Sequence, residues 1–177
     1  MVSSTRVYAE QAGGWVDEVS TLAIDEPRAA AIIDAETQLL AADLPGVVVR
    51  FGGLYGNPDS RLLDRIESGR VIAARPERFT NRMHRGDAAA FLAHLISTEP
   101  GQLEPVYNGV DDCPAPAAEV ESWLARQLDV DPVEHTAPPG AGHKRCSNRR
   151  LHASGFALRY PDYRAGYTAV LAARSRE

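Results

Sequence analysis

The stretch VVVRFGGLYGN, which begins at Val47, constrains the fold more than any other part of the sequence. Its consecutive valines are β-branched and apolar, which is typical of a strand that is covered on both faces. Gly52 and Gly53 end this strand, and glycine lets the backbone approach a ligand closely. Because ligands bind just beyond the carboxyl ends of the strands in an open parallel sheet, we predict a substrate site at Gly52 and Gly53.

A helix is predicted immediately before this strand. Pro27 suits the first turn of a helix, and apolar residues recur at helical spacing across residues 28–43. Pro45 and Gly46 then end the helix. Residues 2–5 read as a short strand, so the order strand, helix, strand predicts a βαβ unit with two parallel strands.

Further short elements follow along the chain. Helices are predicted over residues 60–68 and 117–128, and Asp87 is predicted to cap another. A last short helix is predicted to begin at Ser147 or Asn148. The segment from residue 132 to residue 142 contains three prolines and two glycines, which predicts a mobile loop.

Size and composition indicate one domain over residues 1–177. The net charge of −5 and the pI near 5.5 argue against nucleic-acid binding, and no apolar window is long enough to span a membrane. Met1 is not followed by a basic and then apolar leader, and Cys113 and Cys146 have no C-x-x-C spacing. We therefore expect a cytoplasmic protein with free thiols, with one disulfide as the alternative.

The segment SSTRVYAE, which begins at Ser3, places hydroxyl groups at the carboxyl end of the first predicted strand. A ligand would sit there in a parallel sheet. The alternative is ordinary turn chemistry, in which serine and threonine side chains bond to the local backbone. The residue types alone leave both interpretations open.

Two basic segments offer further candidates. In HKRCSNRR, Lys144, Arg145 and Asn148 are predicted to hold an anionic or polar substrate group, since arginine binds phosphate or carboxylate in a bidentate manner. In TNRMHRGD, Arg82 and His84 are candidate substrate-binding residues, because the family resemblance given below places this segment at the border of the substrate pocket. The alternatives are a solvated basic face for the first segment and a structural histidine in the second.

No metal site is predicted. The histidines His84 and His94 are too far apart in sequence to share one helical face, and no other His, Cys, Asp or Glu residues have metal-ligand spacing.

An ordered series of segments carries a family resemblance: SSTRVYAE, DAETQLL, VVVRFGGLYG, FTNRMHRGDAAAFLAHLI, YNGVDDCPAPAAEV and KRCSNRRLHASGFALRYPDYRAGY. The series is similar to the extended short-chain dehydrogenases/reductases, which include the NAD-dependent epimerases/dehydratases, and most similar to their atypical branch. The resemblance covers nearly the whole chain. It implies an α/β fold that comprises the later strands of a doubly wound, Rossmann-like sheet and a small C-terminal substrate-binding α+β portion.

The resemblance implies NAD or NADP as the cofactor, and it places Ser3, Arg50 and Phe51 near that cofactor. It also implies that this chain corresponds to the C-terminal part of a family member. The family's G-x-G-x-x-G phosphate loop, which belongs to the first βαβ unit, does not occur in the sequence. We therefore expect the chain alone to bind a dinucleotide weakly or not at all.

The resemblance assigns the catalytic serine or threonine to Ser4, but the tyrosine and lysine of the family's Tyr-x-x-x-Lys pair align with Arg28 and Ile32. Arginine does not deprotonate in proteins, and isoleucine carries no charge, so the usual proton relay is absent. Tyr8 and Tyr55 are possible substitutes, although each is also compatible with a packed aromatic side chain.

Three functions remain open from the sequence. The first is an NAD(P)-dependent oxidoreductase of the epimerase/dehydratase type that acts on a sugar-like or other small carbonyl or alcohol substrate. The second is a non-catalytic ligand-binding module, and the third is a truncated remnant without turnover. The expected partner is a small-molecule substrate, without nucleic acid or membrane, and a homodimer is compatible with this fold group.

Overall fold

The computed structural model describes residues 1–43, 45–73, 78–131, 133–136 and 142–175. Helices and strands alternate along the chain, which confirms the predicted α/β class. The helices are α1 (Pro27–Ala41), α2 (Arg61–Glu67), α3 (Arg85–Ser97), α4 (Ala117–Gln127), α5 (Arg149–Ala153) and α6 (Tyr163–Arg174). The strands are β1 (Val2–Ser4), β2 (Trp15–Val16), β3 (Val48–Phe51), β4 (Gly53–Tyr55), β5 (Arg70–Ala73), β6 (Phe79–Thr80), β7 (Arg82–His84), β8 (Val106–Gly109), β9 (Ala115–Pro116), β10 (Val133–Thr136) and β11 (Arg145–Cys146).

The central sheet has the strand order β1-β3-β8, and both pairings are parallel. Val2 pairs with Val49 in the first, and Val48 pairs with Val106 in the second. The predicted βαβ unit is therefore confirmed as β1, α1 and β3. Because the strands run in one direction, their carboxyl ends lie at one edge of the sheet, where a ligand site is expected.

Helices cover both faces of this sheet. On one face, Val49 and Phe51 pack in a buried apolar cluster with Phe91 and Leu95 of α3. On the other face, the Arg50 side chain is directed toward α1 and donates hydrogen bonds to Glu36. The alternation follows from the strand period of two, which sends successive side chains to opposite faces.

The later part of the chain builds a second layer beside the sheet. Helices α2, α4 and α6 share a buried apolar cluster, in which Leu63, Leu124 and Tyr167 are members. Short strands join this layer to the sheet: β4 pairs in parallel with β7, and β6 pairs antiparallel with β9. This arrangement agrees with the expected small α+β portion beside the sheet.

The prediction of a mobile loop over residues 132–142 is wrong in part. Val133–Thr136 forms β10, which pairs in parallel with β5. Valine and threonine favour strands, but the pairing partner lies about sixty residues earlier, so local turn signals dominated the prediction. Residues 132 and 137–141 lie outside the described part of the chain.

Asp87 does not cap α3, contrary to the prediction. The helix begins after His84, whose Nδ1 accepts a hydrogen bond from Gly86 N at 3.1 Å. The buried carboxylate of Asp87 instead accepts hydrogen bonds from the backbone N–H groups of Arg159 and Tyr160. It therefore fixes the segment that leads into α6.

The sequence analysis did not predict α6. Asp162 caps the helix by accepting a hydrogen bond from Ala165 N at 2.8 Å. Tyr163, Tyr167 and Val170 then face the buried cluster at helical spacing. An aspartate followed by this spacing is a regular helix signal that the prediction could have used.

Two compositional expectations concern the cysteines and membrane spans. Cys113 and Cys146 are both free thiols. Within the described ranges, no helix has the length and apolar character that a membrane crossing requires.

Candidate functional site

A cleft of about 340 Å³ lies at the carboxyl ends of β1 and β3. Ser4 is the last residue of β1, and Gly52 directly follows β3, so both reach this edge. Four predicted site residues line the cleft together: Ser4, Gly52, Gly53 and Lys144. We refer to it as the Ser4 cleft.

Ser4 presents a hydroxyl group with an available proton. Its Oγ accepts a hydrogen bond from Arg6 N at 3.2 Å, which caps the short 3₁₀ helix Thr5–Val7. Among the described residues, this hydroxyl donates to no protein acceptor. The turn chemistry and the ligand role that the sequence left open are therefore compatible, since the capping bond uses a lone pair and leaves the O–H free.

Gly52 and Gly53 shape the cleft in different ways. Gly53 N donates to Asn81 O at 2.9 Å, which joins the end of β3 to the segment before β7. A Cβ atom on Gly52 would lie 2.8 Å from Asn81 O, whereas a Cβ atom on Gly53 would lie 3.5 Å from it. Gly52 is thus required by backbone packing, a reason independent of any ligand.

The Asn81 side chain attaches β11 to the cleft. Its Oδ1 accepts a hydrogen bond from Cys146 N at 2.7 Å, and its Nδ2 donates to Lys144 O at 3.0 Å. An amide is suited to this position because it supplies both an acceptor and a donor. Lys144 is placed in the cleft by these contacts.

Lys144 is buried, with 2% of its surface exposed. Its Nζ donates hydrogen bonds to Tyr8 O at 3.0 Å and to Thr5 O at 3.3 Å, on the turn that follows Ser4. Burial lowers the pKa of this amine below the ordinary lysine value, because removal from water disfavours the charged form. A titratable cation therefore lies beside the candidate serine.

The Ser4 cleft is cationic although the chain is acidic. Arg6, Arg78 and Lys144 line it, and no carboxylate does so among the lining residues that the structure describes. The chain as a whole has a net charge of −5. A concentration of positive charge in a concave site attracts an anionic ligand.

The predicted cofactor residues have partners inside the protein. The Ser3 hydroxyl donates to Glu36 Oε1, and Arg50 Nη2 donates to Glu36 Oε2 at 2.7 Å. Arg50 also donates to Tyr8 Oη at 3.1 Å, and Phe51 packs in the cluster with α3. These contacts hold the sheet to its helices. A direct contact of the three residues with a cofactor stays a prediction.

Arg82 and His84 do not line the Ser4 cleft. Arg82 is buried, with Nη2 donating to Thr80 Oγ1 at 2.5 Å and its guanidinium 5.6 Å from the centre of the Tyr163 ring. His84 packs against Tyr160 at a ring distance of 4.1 Å, and burial lowers its pKa below the ordinary value. Their predicted substrate contacts stay untested.

Arg145 and Asn148 also lie elsewhere. Arg145 Nε donates to Gly13 O at 2.8 Å, and its guanidinium lies 4.8 Å from the Phe79 ring centre. Asn148 lines a second cleft, of about 520 Å³, and its Nδ2 donates to Asp112 Oδ1 at 2.6 Å. Of the basic segment HKRCSNRR, the structure thus brings only Lys144 to the Ser4 cleft among these three predicted residues.

Arg28 and Ile32, which align with the tyrosine and lysine of the family's proton relay, lie outside the Ser4 cleft. Arg28 is exposed on α1. Ile32 packs against the apolar cluster of Val7, Tyr8 and Cys146. Neither position provides a group that moves a proton near neutral pH.

The two tyrosines considered as substitutes are packed aromatic residues. Burial raises the pKa of Tyr8 to about 12, and its hydroxyl donates to Asn108 Oδ1 at 2.6 Å. Burial likewise raises the pKa of Tyr55, which packs against Tyr167 at a ring distance of 4.5 Å. A raised pKa makes a phenol a poorer proton shuttle at neutral pH.

The sequence analysis missed several residues of the cleft. Arg6, Thr80 and Arg78 line it but were not selected. Arg6 lies within the segment SSTRVYAE, so its position two residues after Ser4 was a usable signal. Nothing local marks Arg78, which tertiary folding brings there. Within the described ranges, no group of His, Cys, Asp and Glu residues has the geometry of a metal site.

Comparisons with known proteins support the fold. No protein-family profile and no curated protein sequence matches the chain. Among solved structures, a proposed NAD-dependent epimerase/dehydratase from Methylobacillus flagellatus is 34% identical, with a TM-score of 0.79, over 99% of this chain and 63% of its own. A conserved protein of unknown function from Silicibacter pomeroyi is 30% identical, with a TM-score of 0.83, over 97% and 65%.

A third structure, the UDP-glucose 4-epimerase of Thermus thermophilus in complex with NAD, is 20% identical, with a TM-score of 0.79, over 99% of this chain and 63% of its own. The chain has the fold of the NAD-dependent epimerase/dehydratase group. This confirms the predicted resemblance, including its Rossmann-like character. The chain spans less than two thirds of the length of each of these three structures.

The dinucleotide of the epimerase/dehydratase group does not fit the described residues alone. Its phosphates need a glycine-rich turn that opens a helix, where backbone N–H groups point at the anion. Here Gly13 and Gly14 lead into β2, and Gly52 and Gly53 lead into β4, so neither pair opens a helix. The phosphate cradle of the group is therefore not formed by these residues.

Proposed function

We propose that this chain forms the substrate-facing side of an NAD(P)-dependent oxidoreductase of the epimerase/dehydratase type. Its substrate would be a sugar-like or other small carbonyl or alcohol compound. The observation that carries the proposal is the Ser4 cleft, in which the hydroxyl of Ser4 lies at the carboxyl ends of parallel strands beside Gly52 and Gly53. This is the edge where ligands bind in sheets of this kind.

Ser4 would orient the substrate oxygen. Its free O–H donates a hydrogen bond to that oxygen, while the bond from Arg6 N holds the side chain in place. A hydrogen bond of this type contributes about 0.5–1.5 kcal/mol to binding. The main anchor of the dinucleotide would come from a nucleotide-binding unit that these residues do not form.

The second candidate function is a ligand-binding module without turnover. It is supported by Arg28 and Ile32 at the positions of the proton relay, and by the raised pKa values of Tyr8 and Tyr55. The two functions share the cleft and differ in whether a ligand hydroxyl is oxidised. Incubation with NAD(P)+ and a sugar ligand separates them once a nucleotide-binding unit is supplied by fusion to this chain, since only the oxidoreductase then forms the reduced nicotinamide, measured by its absorbance.

Binding of UDP-glucose by isothermal titration calorimetry tests the shared site. We expect binding by the chain and a loss of about twofold to tenfold in affinity in Ser4→Ala, from the hydrogen bond that is removed. Ser97→Ala, an exposed position on α3, is the matched control and should bind as the parent does. Equal affinity of the Ser4→Ala variant and the parent would contradict the proposal.

Isothermal titration calorimetry also tests whether the chain binds the dinucleotide. We expect no binding of NAD+ or NADP+ at micromolar affinity, because the phosphate cradle is not formed here. Micromolar binding of either would show that other residues of this chain hold the phosphates.

A further inference from the structure

The cationic side chains that line the Ser4 cleft come from different parts of the chain. Arg6 lies in the turn Thr5–Val7 after β1, Arg78 precedes β6, and Lys144 precedes β11, so three separate segments each contribute one positive charge. None of the described residues that line this cleft carries a carboxylate, so its lining is positively charged. The positive charge is thus concentrated next to Ser4.

Lys144 is the most constrained of these cations. Two of its three N–H groups are used by the carbonyl oxygens of Thr5 and Tyr8, and the third has no partner in the part of the chain that the structure describes. No ion pair of the described residues includes Lys144. A buried ammonium group with one unused donor is built to bind an acceptor in the cleft.

Lys144 also differs from the arginines in its titration. Burial and the positive charge of Arg6 lower its pKa, whereas the acidic groups Cys146 and Glu10 act in the opposite direction. The ring centre of Tyr8 lies 6.0 Å from Lys144 Nζ, and the Tyr8 hydroxyl donates a hydrogen bond to Asn108 Oδ1. Arginine, by contrast, stays protonated throughout the accessible pH range.

We propose that the Ser4 cleft takes a ligand with a carboxylate or phosphate group close to the oxygen that Ser4 binds, and that Lys144 is the pH-dependent member of the cation set Arg6, Arg78 and Lys144. This inference rests on the proposed function, since it names the substrate class of the same cleft. The ammonium form of Lys144 donates its third N–H to the anionic oxygen. The neutral form loses that charge-assisted bond.

The direction of the pH effect follows from the linkage between anion binding and protonation of Lys144. A bound anion favours the charged form of Lys144 and raises its pKa, so binding near that pKa takes up a proton. Reciprocally, affinity for the anion is highest below the pKa of Lys144 in the free protein and falls as the pH rises through it. This fall occurs below the range of an ordinary lysine, whose pKa is about 10.4.

Lysine labelled with ¹³C at Cε gives a direct test, because Lys144 is the only lysine in the sequence. We expect its single NMR resonance to titrate below the ordinary lysine value in the free protein. Glucuronate and glucose 1-phosphate, as carboxylate and phosphate probes, should move the titration to higher pH. Glucose, which is neutral, should bind at least about tenfold more weakly than the better of the two anions.

Variants of Lys144 separate the effect of its charge on anion binding from its effect on folding. Lys144→Arg should keep anion binding and lose its decrease at high pH, whereas Lys144→Met should lose about tenfold or more in affinity at neutral pH. Arg126→Met, an exposed cation on α4 outside the cleft, should bind as the parent does. Far-UV circular dichroism and urea unfolding establish that each variant is folded.

Three results would overturn the inference: an ordinary pKa for Lys144, a resonance that no anion shifts, or glucose that binds as tightly as both anions. If glucose binds equally well and depends on Ser4, the proposed function stands and only the anionic substrate class is wrong. If UDP-glucose binds without dependence on Ser4, the proposed function itself fails. The relative response to glucuronate and to glucose 1-phosphate decides between carboxylate and phosphate.

Discussion

Arg50 shows how a charged residue is accommodated in the middle of a sheet. Its side chain and that of Glu36 are 5% and 3% exposed, and the two form a bidentate ion pair. The hydroxyls of Ser3 and Tyr8 complete the network. A buried pair of this kind is costly to desolvate, so its two members depend on one another.

Glu36→Gln should therefore destabilise the protein by about 3–5 kcal/mol, because Arg50 would remain buried without a counter-charge. Urea unfolding followed by circular dichroism measures the change. The control is Glu119→Gln, since the Glu119 and Arg164 side chains are about half exposed and such pairs contribute about 0–1 kcal/mol. A loss below about 1 kcal/mol for Glu36→Gln would show that the network is dispensable.

Asp111 gives the folded protein a measurable pH dependence. It is 1% exposed, and burial raises its pKa from 3.8 to about 7 despite the opposing charge of Arg82. Between these pH values the folded chain holds a proton that the unfolded chain has released. The free energy of unfolding should therefore fall as the pH rises through this window.

Asp111→Asn should remove that contribution, which amounts to at most about 1.4 kcal/mol per pH unit. The measurement is urea unfolding of parent and variant at several pH values from 4 to 7, and the difference between the two curves isolates Asp111 from other carboxylates. Asp43→Asn, at an exposed position after α1, is the control. A constant difference between the parent and Asp111→Asn would mean that Asp111 is ionised as in water.

At the scale of elements, the junction between β3 and β4 offers a matched pair of glycines. Gly52→Ala would place a methyl group against the carbonyl of Asn81, which is backbone and cannot turn aside, so we expect a loss of about 1–3 kcal/mol. Gly53→Ala meets only an ordinary contact and should change stability by less than about 1 kcal/mol. Thermal and urea unfolding compare the two, and equal effects would contradict the packing argument.

The elements that local signals define were predictable from the sequence. Pro27 and the valine run located α1 and β3, and the helix predicted over residues 60–68 corresponds to α2. Elements whose partners are distant in sequence were not. The strand β10 needs β5 for its pairing, and Asp87 finds its donors beyond residue 158, so turn and cap rules misassigned both.

The candidate site was predictable only in part, for the same reason. Ser4 and Gly52 follow strand ends, so a rule about parallel sheets located them. Lys144 enters the cleft through the side chain of Asn81, and Arg78 through the pairing of β6 with β9. Such placements depend on contacts between segments far apart in the chain, which residue types in one short motif do not encode.

At the scale of the whole molecule, β1 is the edge strand of the central sheet, and within the described ranges it pairs only with β3. Val2 is 58% exposed there. An exposed apolar edge is a template for pairing with another chain. The unpaired side of β1 is therefore the surface at which we expect self-association.

We expect the parent chain to self-associate as its concentration rises and Val2→Lys to remain monomeric to higher concentration, because an edge lysine opposes strand pairing. Sedimentation velocity measures both. Val19→Lys is the control, since Val19 is 77% exposed and lies outside the strands. If Val2→Lys associates as the parent does, the contact lies elsewhere, and the helices that flank β3 become the candidate dimer surface.

The Asn81 side chain holds β11 by one accepted and one donated hydrogen bond, and this affects how long the purified protein can be stored. Spontaneous hydrolysis of its side-chain amide would replace an N–H donor with a carboxylate oxygen that faces the carbonyl of Lys144. The two oxygens would repel each other, and β11 would loosen from the cleft while the apolar clusters stayed intact. Aged samples would then keep their secondary structure and lose ligand affinity. A mass increase of about one dalton in the peptide that contains Asn81 would show that its side-chain amide had been hydrolysed.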